Sequence, residues 1–111
     1  MKHLLLDCRK VGHLQALKRA EVLGPLVRVV LEEMGAKVVG LCTHQFQPHG
    51  ATVLFLLAES HCSCHTFWEE EKMYLDLFSC SDFDHEKAVG LFLEKLEVSE
   101  YVVKVLDRPL Q

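Results

Sequence analysis

The sequence predicts an α+β fold, a two-layer α/β sandwich in which helices lie on one face of a mainly antiparallel sheet. Apolar segments of strand character are interspersed with stretches of helical periodicity. A tight turn at residues 47–50 joins two strand-like segments, which makes them antiparallel neighbours. The 111 residues, half of them hydrophobic, suffice for one domain with one core, residues 1–111.

The first third of the chain is predicted to form a strand and two helices. The run KHLLLDC, residues 2–8, indicates a short strand. Between residues 11 and 34, apolar residues recur every three or four positions, as they do on one face of a helix. Gly24 and Pro25 interrupt this pattern and favour the end of one helix and the first turn of the next. Gly35 is expected to close the second helix.

Three strands are predicted to follow the helices. Residues 36–46 are rich in β-branched side chains, and residues 47–50, QPHG, have the composition of a turn. The segment ATVLFLLA, residues 51–58, is apolar at nearly every position and indicates a central strand. The alternating segment KMYLDLFSC, residues 72–80, is expected to be its neighbour in the sheet.

The chain is predicted to end in a helix and a strand. Asp82 or Asp84 can cap a helix over residues 85–96, whose apolar residues form one stripe. Residues 101–106, YVVKVL, indicate the last strand. With the helices on one side, the other face of the sheet still needs a cover. We expect a second copy of the chain to provide it in a homodimer.

Composition and charge argue against several classes of function. The net charge of −4 and the lack of a basic stripe argue against nucleic-acid binding. No segment reaches the roughly 18 apolar residues of a membrane span, and the first residues do not form a secretory signal. We therefore expect a cytoplasmic protein without a membrane partner. In that compartment the five cysteines are more often free thiols, ligands or catalytic groups than disulfides.

The segment AESHCSCHTFWEE, residues 58–70, concentrates reactive side chains. Its two histidines and two cysteines carry the donor atoms that zinc prefers. On an extended segment, however, the cysteines would face away from the histidines. The simpler interpretation is that the cysteines are small buried side chains. The four residues are His61, Cys62, Cys64 and His65.

Ser60 and His65 allow a second interpretation of the same segment. Ser60 stands at the end of the predicted central strand, and His65 follows it closely. If the chain turns back after Ser60, the imidazole comes within hydrogen-bond distance of the hydroxyl, which is how a serine nucleophile is activated. On their own, the two residues are weak evidence for this, and a polar turn is the usual interpretation.

Three motifs and their spacing resemble the short bacterial and archaeal form of S-adenosylmethionine decarboxylase, a pyruvoyl-dependent enzyme of polyamine synthesis. They are THQFQPHG (FHRFxPxG in the family), AESHCSCHTFWEE (ESHLxIHTWPE) and YLDLFSC (xxDxFTCG). The likeness is strong over residues 35–80 and fair through the last helix and strand. Over the first 34 residues it is weak, apart from HLLLDC in the first strand.

The resemblance implies that the chain is a proenzyme, which cleaves itself between Glu59 and Ser60 into chains 1–59 and 60–111. Ser60 would become a pyruvoyl group, the cofactor, which forms a Schiff base with the substrate amine and accepts electrons during decarboxylation. His65 corresponds to the base that assists cleavage. Thr52 stands where the family has a serine that assists the same step.

The resemblance also implies roles in binding and turnover of S-adenosylmethionine. Cys80 corresponds to the family's proton donor, although a buried structural cysteine is the ordinary interpretation of such a residue. Phe46 and Phe67 correspond to residues that stack on adenine, and Glu69 to the carboxylate that binds the ribose hydroxyls. The family implies a homodimer of cleaved subunits, with its sites near the subunit boundary.

The segment near the substrate departs from the family pattern. The family's WPEYG is FWEEE here, so that Trp68 replaces a proline and Glu71 a glycine. We therefore expect an altered loop at the adenosine pocket, and two alternatives stay open. A pyruvoyl-dependent decarboxylase of arginine or ornithine would suit the acidity of Glu69, Glu70 and Glu71. A chain that does not cleave itself would be a zinc-binding or interaction module, or an inactive paralogue.

Overall fold

The computed structural model describes residues 1–110. This part of the chain contains six strands, three α-helices and one short 3₁₀ helix. In chain order they are β1 (Lys2–Val11), α1 (Leu14–Lys18), α2 (Ala20–Glu33), β2 (Val38–Gln45), β3 (Ala51–Leu57), β4 (His61–Phe67), the 3₁₀ helix (Trp68–Glu70), β5 (Lys72–Ser79), α3 (His85–Leu96) and β6 (Val98–Asp107). Within residues 1–110, no helix has the length and apolar composition needed to cross a membrane.

The six strands form one sheet in the order β2-β3-β4-β5-β1-β6, and every neighbouring pair is antiparallel. Along β3, β4 and β5, alternate side chains are buried, as expected when one face of a sheet is covered. The buried side chains, together with those of α2 and α3, form one apolar core. The predicted α+β two-layer fold is therefore confirmed.

The other face of the sheet, which we call the open face, is exposed and partly apolar. Leu54 and Leu56 on β3 are 44% and 59% exposed, and Val102 on β6 is 55% exposed. The predicted central strand, β3, does lie between two other strands, but its apolar side chains on the open face, Leu54 and Leu56, are exposed within one chain. Large apolar patches on a soluble protein usually mark a contact surface.

The helix boundary predicted at Gly24 and Pro25 is wrong. The break lies at Arg19, whose backbone is extended, and Pro25 lies inside α2. The amide of Gln45 explains the position of the break: its Oε1 accepts a hydrogen bond from the N–H of Ala20 (2.7 Å), and its Nε2 donates to the carbonyl of Lys18 (2.7 Å). Partners for both helix ends come from a distant strand.

The strand β4 is absent from the sequence prediction, and its presence corrects the predicted strand order. The segment of residues 72–80 does form a strand, β5, but it pairs with β4 and β1 and not with β3. β1 also extends to Val11, which was predicted to be helical. β4 escaped detection because its buried residues are cysteines and a threonine, which do not form an obvious apolar run.

The predicted end of α2 at Gly35 and the predicted cap of α3 are confirmed, and so is the glycine of the turn at residues 47–50. Gly35 has a φ of 98° just beyond α2, a conformation that glycine adopts without strain. Asp84, not Asp82, caps α3, since its Oδ1 accepts a hydrogen bond from the N–H of Lys87 at 3.0 Å. Gly50 has a φ of 124° in the predicted turn after Pro48.

Candidate active site

Ser60 lies at the tip of the hairpin between β3 and β4. The N–H of Leu57 donates to the carbonyl of Ser60 at 3.0 Å, and the N–H of Ser60 donates to the carbonyl of Leu57 at 3.4 Å. Ala58 and Glu59 therefore form a two-residue loop, and both are exposed. The peptide bond between Glu59 and Ser60 thus lies in a tight, accessible turn.

Cys80 lies beside this turn, immediately after β5. A pocket of about 270 Å³ is lined by both Ser60 and Cys80, together with small residues such as Gly35 and Ala36. The thiol of Cys80 donates to a carboxylate oxygen of Asp82 at 3.7 Å. A nucleophile candidate and a proton-donor candidate therefore share one pocket at one end of the sheet.

His65 and Thr52 lie at the other end of the same hairpin. They are directly opposite each other in the pairing of β3 with β4, and His65 Nδ1 is 3.1 Å from Thr52 Oγ1. Both side chains are on the open face. The threonine hydroxyl therefore orients the imidazole ring, whichever of the two groups donates the proton.

The structure does not bring Ser60 and His65 together within one chain. His61, the neighbour of Ser60, pairs with Leu56, whereas His65 pairs with Thr52. Ser60 and His65 are five residues apart, which along an extended segment corresponds to roughly 16 Å. The sequence argument supposed a turn after Ser60, but the turn lies before it, at Ala58 and Glu59, and the returning segment that begins at Ser60 is a straight strand. It carries His65 away from the turn.

A larger pocket of about 460 Å³ adjoins His65 and Thr52. Phe46, Phe67 and Glu69, the three residues expected to bind substrate, line it. The two phenylalanines are about half exposed, at 48% and 51%, so their ring faces are not taken up by the core. A pocket of this size with aromatic and acidic walls can hold a small polar molecule with a flat ring.

Two residues of this pocket, His49 and Trp68, were not singled out as site residues in the sequence. Their rings make an edge-to-face contact with centroids 4.8 Å apart, and both line the pocket. The ammonium of Lys18 lies 5.3 Å from the centroid of the Trp68 ring. The sequence signal was present: His49 lies in the QPHG turn, and Trp68 is the single tryptophan of the chain.

The cysteines of β4 are core residues. Cys62 and Cys64 are 1% and 0% exposed on the helix side of the sheet, whereas His61 and His65 are exposed. Burial raises the pKa of both thiols, which keeps them protonated at neutral pH. Residues 1–110 contain no group of three or more side chains arranged to bind a metal ion. The interpretation of these cysteines as small buried side chains is confirmed.

Sequence comparisons relate the chain to known proteins. A family model described as S-adenosylmethionine decarboxylase matches residues 2–109. The chain is 41% identical over 108 residues to an S-adenosylmethionine decarboxylase proenzyme of Archaeoglobus fulgidus, covering 96% of each chain. It is 33% identical over 108 residues to the proenzyme of Prochlorococcus marinus strain MIT 9313, covering 96% of this chain and 86% of the relative.

A solved structure shows the same fold. The crystal structure of the adenosylmethionine decarboxylase from Aquifex aeolicus superposes with a TM-score of 0.87 and 26% sequence identity. The match covers 99% of this chain and 91% of the other.

Proposed function

The chain belongs to the S-adenosylmethionine decarboxylase family, and from this premise we propose that it cleaves itself at Ser60 and then decarboxylates S-adenosylmethionine. The product would be the aminopropyl donor for spermidine synthesis, and the expected location is the cytoplasm. One observation supports this most directly. Residues of the three family motifs line two pockets at opposite ends of one hairpin.

Self-cleavage requires a nucleophile at the turn. The Oγ of Ser60 attacks the carbonyl carbon of Glu59, the C–N bond breaks, and an ester replaces the amide. Removal of the α-proton of Ser60 then expels the Glu59 carboxylate and leaves a dehydroalanine. Addition of water and loss of ammonia convert this residue into a pyruvoyl group, so that the products are chains 1–59 and 60–111.

The base for the α-proton is a histidine, and its orientation is fixed. His65 is exposed on the open face, and its Nδ1 bonds to the Thr52 hydroxyl at 3.1 Å. This leaves Nε2 to accept a proton from a group that approaches the open face. Thr52 therefore takes the position in cleavage that its family counterpart occupies.

A complete site requires two copies of the chain. Ser60 lies just before β4 and five residues from His65, roughly 16 Å along the extended chain, and no side-chain rotation closes that gap. The exposed apolar residues of the open face provide a surface for self-association. We infer a homodimer in which the open faces meet. Ser60 and Cys80 of one subunit would then lie near His65 of the partner subunit.

The pocket at Ser60 suits a pyruvoyl group. Gly35, Ala36 and Ala58 leave space around the turn, and Cys80 lies within the same pocket. When formed, the pyruvoyl group supplies the electron sink for loss of the carboxylate. The thiol of Cys80 then supplies the proton that replaces carbon dioxide on the substrate carbon.

The larger pocket suits the adenosine part of the substrate. The half-exposed rings of Phe46 and Phe67 can stack on adenine, and they can contact the sulfonium cation through their faces. Glu69 is exposed at the same pocket and can accept hydrogen bonds from the ribose hydroxyls.

The test is an intact mass of the purified chain beside a Ser60→Ala control. The proposal expects fragments 1–59 and 60–111 from the unmodified chain, and one uncut mass from the control. The cleaved protein is then assayed for release of carbon dioxide from S-adenosylmethionine, arginine and ornithine. A chain that stays uncut after prolonged incubation would rule out the pyruvoyl mechanism. Release of carbon dioxide from arginine or ornithine alone would show that S-adenosylmethionine is not the substrate.

A further inference from the structure

The core contains a buried polar pair that the cleavage and binding steps do not use. Ser79, the last residue of β5, is fully buried, and His85, the first residue of α3, is 7% exposed. Ser79 Oγ and His85 Nε2 are 2.8 Å apart. Only one other polar residue within positions 1–110 is equally buried, Thr66.

The pair joins the two ends of the loop that carries Cys80. This loop, residues 80–84, runs from the end of β5 to the start of α3. Two bonds lie within it: the N–H of Phe83 donates to the carbonyl of Cys80 at 3.2 Å, and the thiol of Cys80 donates to the carboxylate of Asp82 at 3.7 Å. The Ser79–His85 bond therefore joins the residues on either side of the loop, within the core.

A histidine at position 85 stabilises the core less than an apolar side chain would. Its Nδ1 is buried and has no hydrogen-bond partner. In either neutral tautomer, one polar atom of the ring stays unsatisfied in the core, and an apolar side chain would avoid that cost. A buried, half-satisfied histidine is better explained by the contact that its other nitrogen makes.

We propose that His85 is a positioning residue for Cys80. Its bond to Ser79 fixes the loop so that the Cys80 thiol stays in the pocket that it shares with Ser60. This inference rests on the proposed role of Cys80 as proton donor. In that step the S–H bond breaks, a C–H bond forms on the carbon that lost carbon dioxide, and the thiolate regains a proton from water. A displacement of the thiol by about 1 Å can reduce the rate of such a proton transfer by about 100-fold.

Three substitutions separate positioning from stability. His85→Leu keeps the approximate volume and removes the bond, Ser79→Ala removes it from the other side, and His85→Gln retains an N–H that can reach Ser79. Thr66→Val serves as the matched control, because it removes a buried hydroxyl that donates to the carbonyl of Leu17 at 2.7 Å, far from the loop.

The first readout needs no catalysis. In the uncut Ser60→Ala background, the rate at which iodoacetamide alkylates each cysteine is followed by peptide mass. We expect Cys80 to react about fivefold faster after His85→Leu or Ser79→Ala, because the loop opens more often. Exposed Cys42 should keep its rate and serve as the internal standard. His85→Gln should restore the original rate, and Thr66→Val should not change it.

The second readout is the split between kcat and KM in the cleaved enzyme. His85→Leu should lower kcat about 10- to 100-fold with little change in KM, since the adenosine pocket lies at the other end of the hairpin. If the leucine variant does not fold, Ser79→Ala decides in its place. An unchanged Cys80 alkylation rate and kcat, with only the melting temperature lowered, would overturn the proposal. If the unmodified protein fails to decarboxylate, the proposed function is wrong, and the alkylation rates still test the loop.

Discussion

If each cleavage site is shared between two subunits, as proposed, a mixture of two different inactive chains should regain self-cleavage. Chains with Ser60→Ala lack the nucleophile, and chains with His65→Ala lack the base, so neither should cleave alone. Within one chain the two positions are roughly 16 Å apart along the extended segment, far beyond hydrogen-bond distance. In a mixed dimer, Ser60 of the His65→Ala chain meets His65 of the partner subunit, and one of the two sites is complete.

The fraction of chains that should be cut follows from random pairing of the two chains. When equal amounts of the two chains are unfolded and refolded together, about half of the dimers are mixed. Each mixed dimer cleaves its His65→Ala chain once, so about half of those chains should be cut, and none of the Ser60→Ala chains. Intact mass distinguishes the two chains and their fragments. Refolding His65→Ala with a Ser60→Ala/His65→Ala chain is the control and should give no fragments. An uncut mixture, alongside an unmodified chain that cleaves, would refute the shared site.

Three further predictions concern the fold and the open face. Gln45→Ala should lower the free energy of unfolding in urea by about 2 kcal/mol, because its amide satisfies both ends of the break at Arg19, while exposed Gln15→Ala should not. Leu56→Lys should give monomers by sedimentation and prevent cleavage, whereas Leu14→Lys on the helix side should leave the dimer intact. Burial raises the pKa of Cys62, so the unfolded chain releases that proton first and stability should fall above about pH 8.5, by about 1.4 kcal/mol per pH unit for this thiol. Cys62→Ala should make the decline shallower, and a pH dependence unchanged by that substitution would contradict this account.

The parts of the fold that the sequence predicts well have local signals. Gly35 marks the end of α2 because a positive φ is required there, and Asp84 caps α3 through a bond to a residue three positions away. The break at Arg19 could not be predicted in this way. Its partner, Gln45, lies far along the chain, and nothing near Arg19 in sequence indicates a boundary.

The candidate site, too, could be predicted only where the signal is local in the sequence. Motif spacing identified Ser60, His65 and Cys80 as a set, and the structure puts Ser60 beside Cys80 in one pocket. The distance between Ser60 and His65 depends on whether the segment between them is a coil or a strand. Cysteines that serve as core residues made the strand hard to recognise in the sequence, so the separation of Ser60 from His65 within one chain became evident only from the structure.

The altered segment after Phe67 was expected to change the loop, and the backbone at Glu71 bears on this. Glu71 has a φ of 54°, a left-handed conformation, at the position where the family has glycine. Its N–H bonds to the carbonyl of Trp68 at 3.1 Å, and its carbonyl accepts from the N–H of Val11 at 3.0 Å. These bonds hold a turn that glycine would form without strain. The glutamate at position 71 therefore keeps the turn that glycine would form. Of the two departures from the family pattern at positions 68 and 71, it is Trp68 that lines the pocket.

Glu71→Gly tests this conclusion through stability. A left-handed conformation costs a residue with a Cβ about 1–2 kcal/mol. Glycine loses about 0.5–1 kcal/mol through its greater freedom in the unfolded chain. The difference predicts a gain of about 0.5–1 kcal/mol in the free energy of unfolding, with KM for S-adenosylmethionine unchanged within about twofold. Glu70→Gly, inside the 3₁₀ helix, is the matched control and should instead destabilise the fold. A loss of stability for Glu71→Gly equal to that control would mean that the turn does not need a positive φ, and that the altered segment has taken its own path.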